Sequence, residues 1–324
     1  MRGRFVGDAP CRDGYTGVRP AYTYGRDPDG VGALRAEAGA ARAAGLDASF
    51  VTATGLPFPV AGAVKVEDQA QFHPLKYLRG LAADIVARGG SIHEGTRVTT
   101  LDDGDPCRLT TDSGATVSAR HVVVATHHPV FDHALLAARL TQHRDLVIAG
   151  PLPAGLDPHG MYVTEEGGKR SVRTAPLDNG SRLLIVTGEA FTPGEGEDTE
   201  AGYARLQAWT GQHFPGFTVT HRWAAQDNSV TDTLPLIGRL PGSGQNVYVA
   251  TGFAGWGMTG GVLLRRSSPP SSAARSNRAR GSTTPPDSAP RCAPPQSSSR
   301  PSGTPASTSS RTTWTRSAKA PTDP

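Results

Sequence analysis

The sequence predicts an α/β plus antiparallel-β fold followed by a disordered C-terminal tail. Three observations carry that prediction. Residues 33–126 alternate between helical and strand periodicity, residues 145–251 hold short strand patterns at close intervals, and from Ser267 the composition collapses onto Ser, Pro and Thr.

The elements follow in order. Residues 1–19 read as an irregular segment with little periodicity. Ala33 to Gly45 is rich in helix formers and stops on a glycine. Leu56 to Val60 is a proline-punctuated loop that leads to a short strand from Ala63 to Val66. Phe72 to Arg88 places Leu75, Leu78, Leu81 and Ile85 at helical spacing, and Gly89-Gly90 ends it. Strands are expected over Ser91 to Glu94, Thr96 to Leu101, Cys107 to Thr111 and Ala115 to Ser118, the last two joined through Asp112-Ser113-Gly114. His121 to Thr126 is continuously apolar, the pattern of a strand buried on both faces. The second half adds strands over Asp145 to Ala149, Gly160 to Thr164, Ser171 to Thr174, Arg182 to Thr187, Val219 to Gln226 and Asn246 to Thr251. One helix runs from Thr199 to Phe214.

The tail is set apart by composition and by charge. From Ser267 to Pro324, 34 of 58 residues are Ser, Pro or Thr, too little apolar surface to offset the entropy of ordering a backbone. From Arg265 onward ten basic residues face two acidic ones, whereas the preceding residues hold 23 basic and 27 acidic. The basic pI therefore belongs to the tail, and a nucleic-acid surface on the folded body is not expected. Cys11, Cys107 and Cys292 are odd in number and widely spaced, which points away from a disulfide framework and from zinc. No apolar run reaches membrane-spanning length, so the expected compartment is the cytoplasm.

Chemistry concentrates between Asp232 and Val262. There D-T-L-P-L-I-G is followed by N-V-Y-V-A-T-G-F-A-G-W-G-M. A buried strand hands over to a bend whose glycines at 252, 255 and 257 let main-chain amides approach a flat ligand. A helix starting there favours negative charge, as on the carbonyl edge of a reduced flavin. A glycine turn that serves packing alone is the competing reading of the same residues.

This segment resembles the C-terminal flavin motif of the D-amino-acid oxidase/glycine oxidase superfamily. A second run agrees in order: Asp68 to Leu78, Gly89-Gly90, Ile92 to Glu94, Thr96 to Val98, Thr110 to Gly114 and Val122 to Thr126. The likeness is greatest to bacterial FAD-dependent oxidoreductases that carry a C-terminal Rieske domain. The resemblance implies an FAD/NAD(P)-binding, Rossmann-like domain with an inserted antiparallel-sheet substrate domain. It implies FAD as cofactor and hydride transfer from an amine or amino-acid substrate. For cofactor contact it implies Val98, Ala125, Thr126, Asp232, Gly252, Phe253, Gly255, Trp256, Gly257 and Met258, with Pro235 in the preceding turn. His73, Tyr77, Arg173 and Gln226 are substrate-side candidates, with Arg173 the one suited to a carboxylate. No residue is assigned a role in the chemical step. His127, His128 and His133 lack thiolate or carboxylate companions and read as surface polar groups, so no metal is expected.

The superfamily opens with a βαβ unit bearing Gly-x-Gly-x-x-Gly, and that unit is not found. Gly30-Val-Gly32 follows Asp-Pro-Asp rather than an apolar strand, and Arg35 stands at its third glycine position. Residues 20–264 therefore read as an oxidoreductase domain lacking its first βαβ unit, with weak or absent FAD binding expected. A Rieske cluster needs two Cys and two His, and the tail holds Cys292 without any histidine, so no iron–sulfur cluster is expected. Read one frame over, consecutive TCN serine codons encode Phe, Leu, Ile or Val. The serine pairs at 267–268 and 271–272 then form an apolar helical stripe, which points to a frameshift near Val262 to Arg265; a genuine disordered basic tail is the competing reading. Two other classes are a flavin-free remnant acting as a small-molecule binding module, and an interaction protein driven by its tail.

Overall fold

The computed structural model describes residues 16–128, 130–131, 136–152, 155–164, 166–167, 169–177, 179–196, 198–267 and 314–315. The first stretch holds β1 (Thr16–Gly25), α1 (Val31–Ala43), β2 (Ala48–Val51), β3 (Gly62–Phe72) and α2 (Pro74–Ala87). Next come β4 (Val98–Asp102), β5 (Cys107–Thr111), β6 (Thr116–Ala119), β7 (Val122–His127) and β8 (Leu140–Leu152). They are followed by β9 (Met161–Thr164), β10 (Arg170–Pro176), β11 (Arg182–Phe191) and α3 (Thr199–His213). The chain closes with β12 (His221–Val230), β13 (Leu236–Arg239), β14 (Val247–Thr251) and α4 (Gly257–Ser267).

Two compact units share these elements. Among the described residues the first comprises 16–96, 125–236 and 250–255, and the second comprises 97–124, 237–249 and 256–267 with 314–315. In the first, an eight-stranded sheet runs in the order β12-β8-β11-β10-β9-β1-β3-β2. Its pairings are antiparallel except β1 with β9. Strand alternation puts Tyr22, Tyr24, Leu146, Ile148, Tyr162, Val172, Leu184 and Val186 in one core with Leu206 and Phe214 from α3 and its end. Tyr22 and Tyr162 stack with ring centroids 4.6 Å apart. Each large side chain buried here contributes about 1.5–3 kcal/mol of transfer free energy. Asp198 starts α3 by accepting from Glu200 N and Ala201 N at 3.0 and 3.1 Å.

The same core buries polar groups. Burial pushes the Tyr24 phenol up to about 12, against the opposing pull of Arg26 and Arg170. Asp157 joins the loop before β9 to the sheet. Its Oδ1 accepts from Thr174 Oγ1 at 3.0 Å and from His159 N at 2.9 Å, and its Oδ2 lies 3.1 Å from Arg182 Nε. Burial alone would raise this carboxyl; the two hydrogen bonds and Arg182 outweigh it and hold the group below its ordinary value.

The second unit holds the antiparallel run β4-β5-β6, with the two-residue strand Trp314–Thr315 paired along β6. Cys107 is a buried free thiol, pushed up by burial and by the neighbouring Asp103 and Asp105. The three-stranded order β13-β14-β7 completes the topology, and Val122 N donates to Asn246 O at 3.0 Å.

Several sequence expectations need correction. The N-terminal segment is not irregular throughout, because β1 begins at Thr16 and pairs with β3 along its whole length. The strand expected over Ala63 to Val66 extends from Gly62 to Phe72, so Phe72 ends a strand and His73 caps α2. Ser91 to Glu94 forms no strand; its β-branched content is too small to outweigh the turn set by Gly89 and Gly95, both left-handed. β7 is not buried on both faces, since Val123 is 64% exposed. The expected disorder and frameshift of 265–324 fall, beyond Ser267 and apart from Trp314 and Thr315, outside the described residues.

Candidate functional site

In the first unit three segments meet at Asn228: the end of β7, the C-terminal half of β12 and the bend after β14. The residue is fully buried. Its Nδ2 donates to the His127 carbonyl at 3.0 Å, and Thr251 Oγ1 donates to the same carbonyl. The Asn228 carbonyl accepts from Ala254 N at 3.0 Å, and its own amide donates to Asp227 Oδ1 at 2.7 Å. Its Oδ1 has no hydrogen-bond partner among the described residues, which is costly for a buried acceptor. Backbone strain gathers at the same place. His127, Gly252, Ala254 and Gly255 have φ of 65°, 74°, 47° and 84°. A non-glycine residue in this region costs about 1–2 kcal/mol, so the bonds at Asn228 hold a bend that the chain would otherwise relax.

The bend's two glycines serve different ends. A β-carbon at Gly252 would lie 2.3 Å from Val230 Cγ2 and 3.2 Å from Leu140 Cδ2, so glycine is needed there for packing against protein. At Gly255 the nearest atom would be Asp227 Oδ2 at 3.6 Å, and the residue is exposed. Glycine at 255 is required by its positive φ and leaves the main chain open. Trp256, 70% exposed, and Gly257 follow, and Gly260 N donates to Trp256 O at 2.7 Å as α4 begins. The unsatisfied amides of such a helix start favour negative charge. Gly255-x-Gly257-x-x-Gly260 also repeats the nucleotide-loop spacing, after a strand and opening a helix. That spacing is legible in the sequence, away from the chain start where the family's nucleotide loop is expected.

The remaining expected cofactor residues divide between the units. Ala125 and Thr126, in the first unit, are exposed near the end of β7, where Thr126 Oγ1 donates to His128 O at 2.6 Å. Asp232 and Pro235 are exposed, and Asp232 Oδ1 accepts from Leu234 N at 3.2 Å, closing the turn in which Thr233 has φ 62°. Phe253 is half-buried in the first unit. Val98, at the start of β4 opposite Thr111, and Met258, in the first turn of α4, are half-buried in the second.

The substrate-side candidates do not form one cluster. His73 is exposed and caps α2, accepting from Lys76 N at 3.4 Å. Tyr77 packs edge-on against Phe72. Gln226 accepts from Arg144 Nε and Nη2 at 3.3 and 3.2 Å and donates to Gln142 Oε1 at 3.0 Å. Arg173 is half-buried on β10, opposite Ile185. Sequence reasoning missed Asn228, Asp227 and their β8 neighbours, because their role depends on strand register.

The DAO family of FAD dependent oxidoreductases matches residues 11–264. The chain belongs to this family. It is 29% identical over 244 residues to YhfW of Bacillus subtilis (strain 168), whose name describes it as a Rieske 2Fe-2S iron-sulfur protein. That match covers 75% of this chain and 48% of the relative, so the chain spans about half the length of the curated protein it resembles. Among solved structures, glycine oxidase from Geobacillus kaustophilus is similar with TM-score 0.65 and 17% identity, over 79% of this chain and 73% of that one. L-proline dehydrogenase from P. horikoshii has TM-score 0.63 and 15% identity, over 76% and 70%. These likenesses show a shared fold: mixed sheets with few helices. Among the described residues no helix is long and apolar enough to cross a membrane.

Proposed function

We propose that the chain is an FAD-dependent oxidoreductase acting on an amine or amino-acid-like substrate in the cytoplasm. The observation that carries this reading is the bend after β14. It holds a left-handed, side-chain-free Gly255 beside the start of α4, in a chain of the FAD dependent oxidoreductase family. The residues fit a flavin. Gly255 and Gly257 are exposed and present main chain only, and the helix start favours the charge carried by the carbonyl edge of a reduced ring. Within the first unit Gly252, Phe253 and Gly255 would hold that edge, while Ala125, Thr126 and Asp232 would meet the rest of the cofactor. Bound FAD supplies a hydride acceptor. The protein's share is to position: Asn228 and Thr251 fix the His127 carbonyl, and Asn228 fixes the Ala254 amide.

In this reading the Gly-x-Gly-x-x-Gly at 255–260 serves the flavin edge rather than the pyrophosphate. A flavin-free binding module is the second reading, favoured by uncovered apolar side chains: α2 buries none of its residues, and Leu75, Leu78, Ile85 and Val86 are 47–57% exposed. Titration with FAD followed by flavin fluorescence separates the two. Saturable binding, with bleaching of the flavin on anaerobic addition of amines, supports the oxidoreductase. Binding of amines by a chain that takes no FAD at any concentration supports the module.

A further inference from the structure

The face of the eight-stranded sheet opposite the aromatic core carries charged groups that the reading above leaves unused. Leu146, Ile148, Val172 and Val186 point into the core, so their odd-numbered neighbours point to the other face. Register sorts that face into rows. Arg173, Ile185, Ala149 and His221 form one row, and Ser171, Thr187, Val147 and Trp223 the next. Asp145 faces Ala225 in a third row, and His143 faces Asp227 in a fourth. The glycine bend lies at the Asp227 end, 3.6 Å separating Asp227 Oδ2 from the position of a Gly255 β-carbon.

These rows decide what a ligand beside the bend can touch. Asp227 is three rows and three strands from Arg173, about 20 Å along the strands and about 14 Å across them. An arginine side chain and a small α-amino acid together do not bridge that span. The groups within reach are two carboxylates, the His143 imidazole and an indole. Asp145 Oδ1 is buried without a hydrogen-bond partner, and its Oδ2 is 3.8 Å from His143 Nε2. Trp223 is 44% exposed, and only the small, exposed Ala225 stands between it and Asp227 on β12. Arg144 points to the core side, where Gln226 holds it. Among the described residues no three His, Cys, Asp or Glu groups are gathered closely enough to hold a metal, which leaves an organic cation as the complement.

We propose that Asp145, Asp227 and Trp223 recognise a small organic ammonium group beside the bend, so that a substrate is anchored by its amine rather than by a carboxylate. Carboxylates supply charge-assisted hydrogen bonds to the ammonium, and the indole face supplies a cation–π contact. Its catalytic meaning rests on the flavin reading above; the binding itself does not.

Calorimetric titration of the full chain with benzylammonium and with benzoate tests this. Benzylammonium is expected to bind and benzoate not. Asp145→Asn and Asp227→Asn, close in shape to the parent residues, should each weaken binding about tenfold, from the loss of a charged hydrogen bond. Trp223→Leu should weaken it about threefold. The proposal is overturned by tighter binding of benzoate, by ammonium binding indifferent to both aspartates, or by binding of neither probe. No flavin is needed, so failure to take up FAD would defeat the oxidoreductase reading and leave this result standing.

Discussion

The two faces of the eight-stranded sheet follow opposite rules. On one, α3 closes over tyrosines and aliphatic side chains. On the other, Trp223 and Ala225 at the β12 edge are exposed. The strands are the same, and alternate residues along them do different work. One face is closed by α3; the other buries Val147 and Ala149 and leaves its β12 edge open to carry specificity.

The difference can be tested by truncation on each face. Leu206→Ala, in a fully buried position of α3, should cost about 2–5 kcal/mol in urea unfolding. Trp223→Ala should cost about 1 kcal/mol or less despite removing a larger side chain, because much of it is already in water. Equal losses would abolish the distinction. The two bend glycines sharpen it next. Gly252→Ala combines a positive φ with a clash against Val230 and should lose about 2–4 kcal/mol. Gly255→Ala meets only the φ penalty of about 1–2 kcal/mol.

A pH experiment probes a junction of the closed face. The Asp157 carboxyl is held below its ordinary value when folded, so the unfolded chain takes up its proton first as pH falls. Its stabilising contribution is fully present above the unfolded value near 3.9 and is lost as pH drops through the lower folded value. Asp157→Asn should therefore flatten the loss of thermal stability below about pH 4, and an unchanged slope would deny the network this role. Helix caps give the smallest effect. Asp198→Ala should cost about 1 kcal/mol because α3 is packed into the core. His73→Ala should cost less, because α2 buries no side chain.

Periodicity reads well in this chain where one face of an element meets the core and the other meets water. α1 and α3 fall within about two residues of their expected limits, and β5, β6 and their Gly114 turn are found where Asp112-Ser113-Gly114 puts them. β1 was missed because Val18 is 71% exposed and Pro20 interrupts its pattern, while its pairing with β3 and β9 is long-range. β13 is not among the strands expected from the sequence, because half of its four residues, Gly238 and Arg239, carry no strand signal. His121 to Thr126 looked doubly buried, yet hydrophobicity states only a preference for burial and cannot say whether a layer covers it.

The site divides in the same way. The glycine bend, the strand before it and the helix after it are consecutive in sequence, and glycine's tolerance of positive φ makes such a bend recognisable from residue types alone. That much the sequence determined by itself, together with the family it resembles. Which bend glycine packs against Val230 and which faces open space was decided only by the fold. So was the placing of Asp227 beside the bend and Arg173 far along the sheet. The physical reason is strand register: a shift of one residue turns every side chain to the opposite face, and long-range pairing, not local propensity, sets it.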